Sequence, residues 1–497
     1  MSKIDLEKIL SSYIDKFNLD DNECYKQDIN NWNVKEWMKE NVPYFTCPDK
    51  TIEEIYYFRW WVARKHIRTT EDGVLITEFL PEVPWAGKHN TIVAAVGHHI
   101  AEFKWLKCGK KILNDYISFW LEKKGLTTEY STWLLHSIYE FCEFENDYSL
   151  AISYLHNMIS YYEEFSEQHK TESGLFWSID GYDAMECSIS GMTENFQRLK
   201  GIRPTLNSYM AANALAISKI AKKAGEKYIE DKYFAEYARI KNLINSYLWD
   251  GEFYKAIHSE NIEKEKHISV KEIENPMMNV KELIGYIPWC FKLAPDEYSI
   301  AFSEIKKEDG FHSSYGLTTA EKRHPRYLYK YPHECLWNGY IWPFATSMVL
   351  NAMINLLEEY NQKYIKKEDF YDILTTYAKS HYITRDDGKT ICWIDEVKDP
   401  NTNRWSSRDI LIKDQSNRIY ERGKDYNHSS FCDIVLRGLL GIKVIEGNIT
   451  ITPNIPENWN YFKLENLWIC DKKYTIIYDK DGTYFGEGEG LNITQNI

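Results

Sequence analysis

The chain has 497 residues, 44% of them apolar and 27% charged, with a formal net charge of −14. That acidity argues against a nucleic-acid partner, and no basic run is dense enough to track phosphates. The aromatic share is high, with 17 Trp, 37 Tyr and 21 Phe, which suits a sugar-stacking cleft or a large helical core.

The N-terminal stretch MSKIDLEKILSSYIDKFNLDDNE is charged throughout and lacks the apolar core of a signal peptide. No apolar run is long enough to span a bilayer, so no membrane partner is expected. Ten cysteines are scattered without a CxxC pair, a poor pattern for zinc or for a disulfide framework. The expectation is a cytoplasmic protein with reduced thiols.

Residues 1–50 are polar with short helical signals, and they read as an arm laid on the main domain. A strong helix follows, with Thr51 as N-cap and Glu54 completing a capping box. Pro81, Pro84 and Gly87 then force a loop, and a helix is expected from about Asn90 or Thr91. Trp85, Lys88, His89 and Asn90 sit at that loop-to-helix junction, where binding groups are often presented. Amphipathic helices are expected over 131–145, 149–168, 205–224, 231–248, 343–361 and 366–380, with strand-like alternation nearly absent before residue 440. Paired helices without a sequence repeat favour a closed ring of helical hairpins over a solenoid. The domain is therefore placed at 51–442 and is all-α. From Val444 the texture turns to β, with Asp481-Gly482 as a hairpin signal, so 443–497 reads as a small C-terminal β domain.

Four stretches carry chemistry. The run Gly174–Gly191 puts Asp180, Asp183 and Glu186 beside Phe176, Trp177 and Tyr182. Flat aromatic faces stack on sugar C–H faces, while carboxylates bind hydroxyls or move protons. At another helix start, GIRPTLNSYM offers Arg203, Asn207 and Tyr209. Trp337 and Trp342 flank Asn338-Gly339 ahead of Pro343, which suits a first helical turn. The stretch YERGKDYNHSSFCD offers Glu421, Asp425, Tyr426, Asn427 and His428. No HExxH, P-loop or GxSxG element occurs, and His98-His99 lies inside an apolar helix, so no metal is assigned.

Together, WAGKHN, DAMECSISG…RPTLNSYM, LWNGYIWPFATS and YNHSSFCD resemble the bacterial mannosylglycerate hydrolase-like group of six-hairpin glycosidases, related to glycoside hydrolase families 63 and 37. The resemblance runs from about residue 55 to 465. It implies an (α/α)6 toroid, an inverting hydrolase of α-glycosides such as an α-glucoside or α-mannoside, two catalytic carboxylates and no cofactor. The relatives' general acid lies in a pattern of Gly, a large apolar residue, the acid, any residue and Ser. Ala184-Met185-Glu186-Cys187-Ser188 matches it, with Ala for Gly and Glu for Asp. Glu186 is thus preferred as acid over Asp183. Glu421 takes the place of the relatives' base, with Glu334 as the weaker candidate. Asp180, Asp183, Tyr182, Trp85, Lys88, His89, Asn90, Arg203, Asn207, Tyr209, Trp337, Asn338, Trp342, Tyr426 and His428 are expected to bind substrate or tune the acid. A lyase or phosphorylase on the same toroid, or a non-catalytic sugar-binding protein, is the alternative.

Overall fold

The computed structural model describes residues 4–259, 278–413, 419 and 421–496. Helices dominate it. In chain order they are α1 (Leu6–Leu19), α2 (Val34–Asn41), α3 (Lys50–Ala63), α4 (Val96–Phe103), α5 (Gly109–Leu121), α6 (Leu134–Glu145), α7 (Ser149–Ser153), α8 (Leu155–His169), α9 (Pro204–Ala224), α10 (Lys227–Tyr247), α11 (Ile287–Cys290), α12 (Pro343–Glu359), α13 (Lys367–Ser380) and α14 (Ser406–Leu411). Helix α1 buries Leu6, Leu10, Ile14 and Phe17, one face at helical spacing. Helix α9 ends where Gly225 turns left-handed at φ 78°, a conformation that costs glycine little.

Two helix starts differ from expectation. The cap of α3 is Asp49, whose carboxylate accepts from the Thr51 and Ile52 amides at 2.9 and 3.1 Å. Thr51 is already helical, and Glu54 is engaged by Lys16 and by Tyr382, so no capping box forms. Helix α4 begins at Val96 rather than near Asn90. The Asn90 side chain holds the preceding loop open by donating to the Phe79 and Pro81 carbonyls and accepting from the Val83 amide.

Helices α4, α6, α9, α11, α12 and α13 pack in series, and α13 packs back on α3. The circuit is tied by Arg59 of α3, which donates to Tyr377 of α13 at 3.1 Å and to the Ser429 carbonyl at 2.6 Å. This helix-rich series fits a helical toroid. Among the described residues no helix is long and apolar enough to cross a membrane.

Strands before residue 440 do exist. Ile67–Thr70 pairs with Gly73–Ile76, and Trp177–Ile179, Lys200–Ile202 and Ile257–Ser259 form a three-stranded sheet. Strands of three or four residues are too short to show alternation in sequence. The C-terminal strands are longer: Tyr461–Ile469, Lys472–Asp479 and Gly490–Asn496 form an antiparallel sheet, and Tyr44–Thr46 adds its fourth strand. The residues before 50 therefore contribute to the C-terminal sheet. Asp481-Gly482 sits in a wide loop rather than a two-residue turn, because the Asp479 carboxylate gathers the Tyr484 and Phe485 amides.

Candidate active site

Asp183 and Glu186 leave the strand Trp177–Ile179 on the same loop, yet their surroundings are opposite. Asp183 is buried and saturated. Ser131 and Ser178 donate to its Oδ1 at 2.7 and 3.1 Å, while Arg203 at 2.7 Å and Thr205 donate to its Oδ2. Arg203 also donates to Ser190 and Ser188. Glu186 has no side-chain donor of this kind and lines a cavity of about 220 Å³. Two left-handed residues, Ala184 (φ 54°) and Cys187 (φ 61°), bracket it. Such backbone is strained for non-glycine residues and clusters at functional sites. The Trp337 amide donates to the Glu186 carbonyl at 3.1 Å, so the acid's backbone is fastened to the tryptophan loop.

The cavity collects four glutamates: Glu78, Glu186, Glu334 and Glu396. Glu396 arrives on the segment between the strand Thr390–Cys392 and α14. Reciprocal 2.9 Å backbone hydrogen bonds between Lys398 and Ile341 hold that segment against the tryptophan loop. Burial pushes the Glu186 carboxyl up to about 8, helped by Asp180 and Glu396 nearby. Burial raises Glu396 to about 7, with Arg422 opposing the shift. Burial raises Glu78 to about 8 although Tyr426 donates to it. Glu334 is instead engaged in an ion pair with Arg422, whose guanidinium lies 5.2 Å from the Trp85 ring.

Three groups in this wall are buried without a full set of partners. They are Glu78 Oε2, Glu396 Oε2 and both ring nitrogens of His428, in residues 5%, 3% and 2% exposed. Unpaired buried polar atoms cost about 1–3 kcal/mol each, so their gathering in one cavity marks a place where a polar ligand completes them. Larger hollows of about 290 and 380 Å³ lie elsewhere. Neither is lined by an unpartnered buried side chain among the described residues.

Of the residues singled out from sequence, Glu186, Glu334, Trp85, Trp342, Tyr426 and His428 line the cavity. The Trp342 ring stacks on Trp337 at 4.5 Å, which puts Trp337 behind it in the core. Asn338 is a turn residue donating to the Tyr329 carbonyl. Lys88 and His89 pair with Asp72, away from the cavity. Asn207 clamps the Phe176 backbone through both amide atoms. Tyr209 packs on Trp133 in the core, and Tyr182 packs on His169. Asp180 is fully buried behind the loop, raised to about 7 by burial, and its charge bears on Glu186. Glu421 lies outside the cavity in a 2.8 Å ion pair with Arg408. Burial alone would raise it, but Arg408 holds its carboxyl below the usual range. The structure thus places Glu421, the base candidate from sequence, in an ion pair outside the cavity, while Glu396 lines it with Glu186.

Sequence reasoning missed Glu78, Glu396 and Arg422. Glu396 carried the signal used for Glu186, since CWIDEVKDP places tandem acids beside a tryptophan. Among the described residues one trio of candidate metal ligands occurs, Glu71, Asp72 and His89. Lys88 and Lys124 already pair with Asp72, so cationic charge there is supplied by the protein. His99 is hydrogen-bonded through both ring nitrogens, to Tyr116 and to the Asn427 carbonyl.

A helical ring with paired buried carboxyls in an aromatic-walled cavity is an architecture of carbohydrate-active enzymes. The family description "mannosylglycerate hydrolase MGH1-like glycoside hydrolase domain" matches residues 88–429, and the chain belongs to that family. Among solved structures, a protein described as a sialidase is similar at 33% identity and a TM-score of 0.88, over 99% of this chain and 43% of its own. The GH78 family rhamnosidase of Bacillus sp. GL1 matches at 11% identity and a TM-score of 0.55, over 88% of this chain and 40% of its own. The α-L-rhamnosidase from Dictyoglumus thermophilum matches at 12% and 0.53, over 89% and 43%. The two rhamnosidases share the fold. The present chain spans less than half the length of each of these three proteins.

Proposed function

We propose that the protein is a glycosidase that hydrolyses an α-glycosidic bond in a small glycoside with inversion, on an (α/α)6 toroid, with Glu186 as general acid and Glu396 as general base. The observation that carries this reading is the single cavity in which a neutral carboxyl and a second, partly unpartnered carboxyl face the same space. Glu186 donates its proton to the glycosidic oxygen as the C–O bond breaks. Glu396 takes a proton from water, whose oxygen bonds to the anomeric carbon. Inversion requires the two carboxyls roughly 6.5–9.5 Å apart to admit that water.

The roles divide by environment. Burial and the neighbouring acids outweigh the opposing charge of Arg198, so Glu186 keeps its proton near neutral pH. The positive charge of Arg422 favours the ionised form of Glu396. The Cys335 thiol donates to Glu396 Oε1 at 3.2 Å, leaving Oε2 for the water. Trp85 and Trp342 offer the stacking faces, with family membership supporting a sugar as their ligand. The test is a panel of α-linked mannosides, glucosides and rhamnosides, including glycosyl-glycerates, followed by proton NMR. The β-anomer as first product is expected for the D-sugars; an initial α-anomer overturns inversion, and no cleavage of any member overturns the glycosidase reading.

A further inference from the structure

Glu78 has no part in the acid–base pair, yet its carboxyl is fixed in the cavity wall. It follows the hairpin Ile67–Thr70/Gly73–Ile76, and its backbone carbonyl accepts from the Asn427 amide at 3.1 Å. Asn427 in turn donates from its side chain to the Thr77 carbonyl. Tyr426 donates its hydroxyl to Glu78 Oε1. The carboxyl is thus gripped by one short segment, and Oε2 is left buried without a partner on the cavity wall.

The charged group that bears on Glu78 is Glu396, which disfavours a second negative charge, and no cation is placed to offset it. A carboxyl in that position carries a proton. Oε1 already accepts from Tyr426, so the proton belongs on Oε2, facing the cavity. A neutral acid is a hydrogen-bond donor where an ionised one only accepts. Tyr426 also connects this donor to His428, whose ring lies 3.6 Å from the tyrosine ring. Neither His428 nitrogen meets a side-chain partner within hydrogen-bond geometry among the described residues. Burial, with the charge of Arg59 nearby, holds it neutral, so one nitrogen accepts and the other donates.

We propose that Glu78 is a substrate-binding residue that donates a hydrogen bond from Oε2 to a sugar hydroxyl oxygen, within a wall completed by Tyr426 and His428. A hydroxyl, being both acceptor and donor, matches a neutral acid beside a neutral imidazole; a ring position carrying hydrogen leaves both unsatisfied. Glu78 thereby makes the site specific for a hydroxylated rather than a deoxygenated ring position. This inference rests on the glycosidase reading for its substrate class.

The experiment compares Glu78→Gln and Glu78→Leu with the wild type on 4-nitrophenyl α-D-mannoside, α-D-glucoside and α-L-rhamnoside and their monodeoxy analogues, separating kcat from KM. Calorimetry with the three methyl glycosides measures binding alone. The Gln variant keeps an N–H donor and is expected to hold KM within about threefold. The Leu variant is expected to raise KM, and to weaken methyl glycoside binding, by about tenfold or more. One monodeoxy analogue should lose about as much on the wild type and show no further loss on the Leu variant. A purely structural role would lower the melting temperature without changing that deoxy discrimination. Equal behaviour of Leu and wild type overturns the proposal, as does a Gln variant as impaired as Leu. If the wild type cleaves nothing, the glycosidase reading falls while calorimetry still judges Glu78; if no methyl glycoside binds the wild type, both fall.

Discussion

Asp183 and Glu186 stand three residues apart and show how little a carboxylate's place in sequence says about its work. Asp183 accepts from four side chains and faces Arg203 in a buried pair. Every oxygen is satisfied, so a substrate has nothing to complete. Glu186 has no such side-chain donors among the described residues; burial, helped by the charges of Asp180 and Glu396, raises its carboxyl, and it lines the cavity. On the proposed reading, saturation marks the frame of the site and incompleteness its chemistry.

Several measurements break or sharpen that contrast. The largest effect falls on the incomplete acids: Glu186→Gln and Glu396→Gln should each lower kcat by about 10²–10⁴-fold, with melting temperatures near or above the wild type. A kcat within tenfold of wild type for either variant rules out its role. Next comes the frame. Asp183→Asn strands Arg203 in the interior and should cost about 3–5 kcal/mol of stability, read by denaturant unfolding; a loss under 1 kcal/mol means the pair is not what holds the loop.

The pH profile of kcat/KM should be bell-shaped. Glu186 must be protonated, so activity falls as pH rises through about 8. Glu396 must be ionised, so activity falls as pH drops through about 7. The paired acids share these apparent values. Replacing Glu396 by Gln should abolish the acidic limb of the residual activity, and a profile flat from pH 5 to 9 contradicts both assignments. The smallest effect belongs to Glu421→Gln, which removes a half-buried ion pair with Arg408. Its kcat should stay within about twofold and its stability within about 1 kcal/mol; a collapse of kcat restores Glu421 as base.

Much of the helical order was legible because apolar spacing and end signals are local. Pro343 and Gly225 marked their helix ends. The cap of α3 was misread because Asp49 and Thr51 are both good caps, and tertiary bonds from Lys16 and Tyr382 removed Glu54 from the choice. In the site, Glu186, Trp85, Trp342, Tyr426 and His428 were reachable from residue type and neighbours. The displacement of Glu421 was not. Whether a glutamate meets an arginine such as Arg408 or an open cavity depends on contacts between segments far apart in the chain. Glu78 hid for the same reason, since its partner Tyr426 lies 348 positions away.

The pairing of Tyr44–Thr46 with Tyr461–Ile469 has a consequence for synthesis. The first strand of that sheet leaves the ribosome long before its partner exists. At roughly 5–20 residues per second the wait is on the order of tens of seconds. Through that interval Phe45, fully buried in the finished fold, has no strand to lie against, and the Arg59 guanidinium has no Ser429 carbonyl to reach. The nascent chain must therefore keep an unclosed arc of helices with its apolar edge open until residues 461–469 emerge. Chaperone dependence during expression should track the stability of that arc rather than of the finished ring.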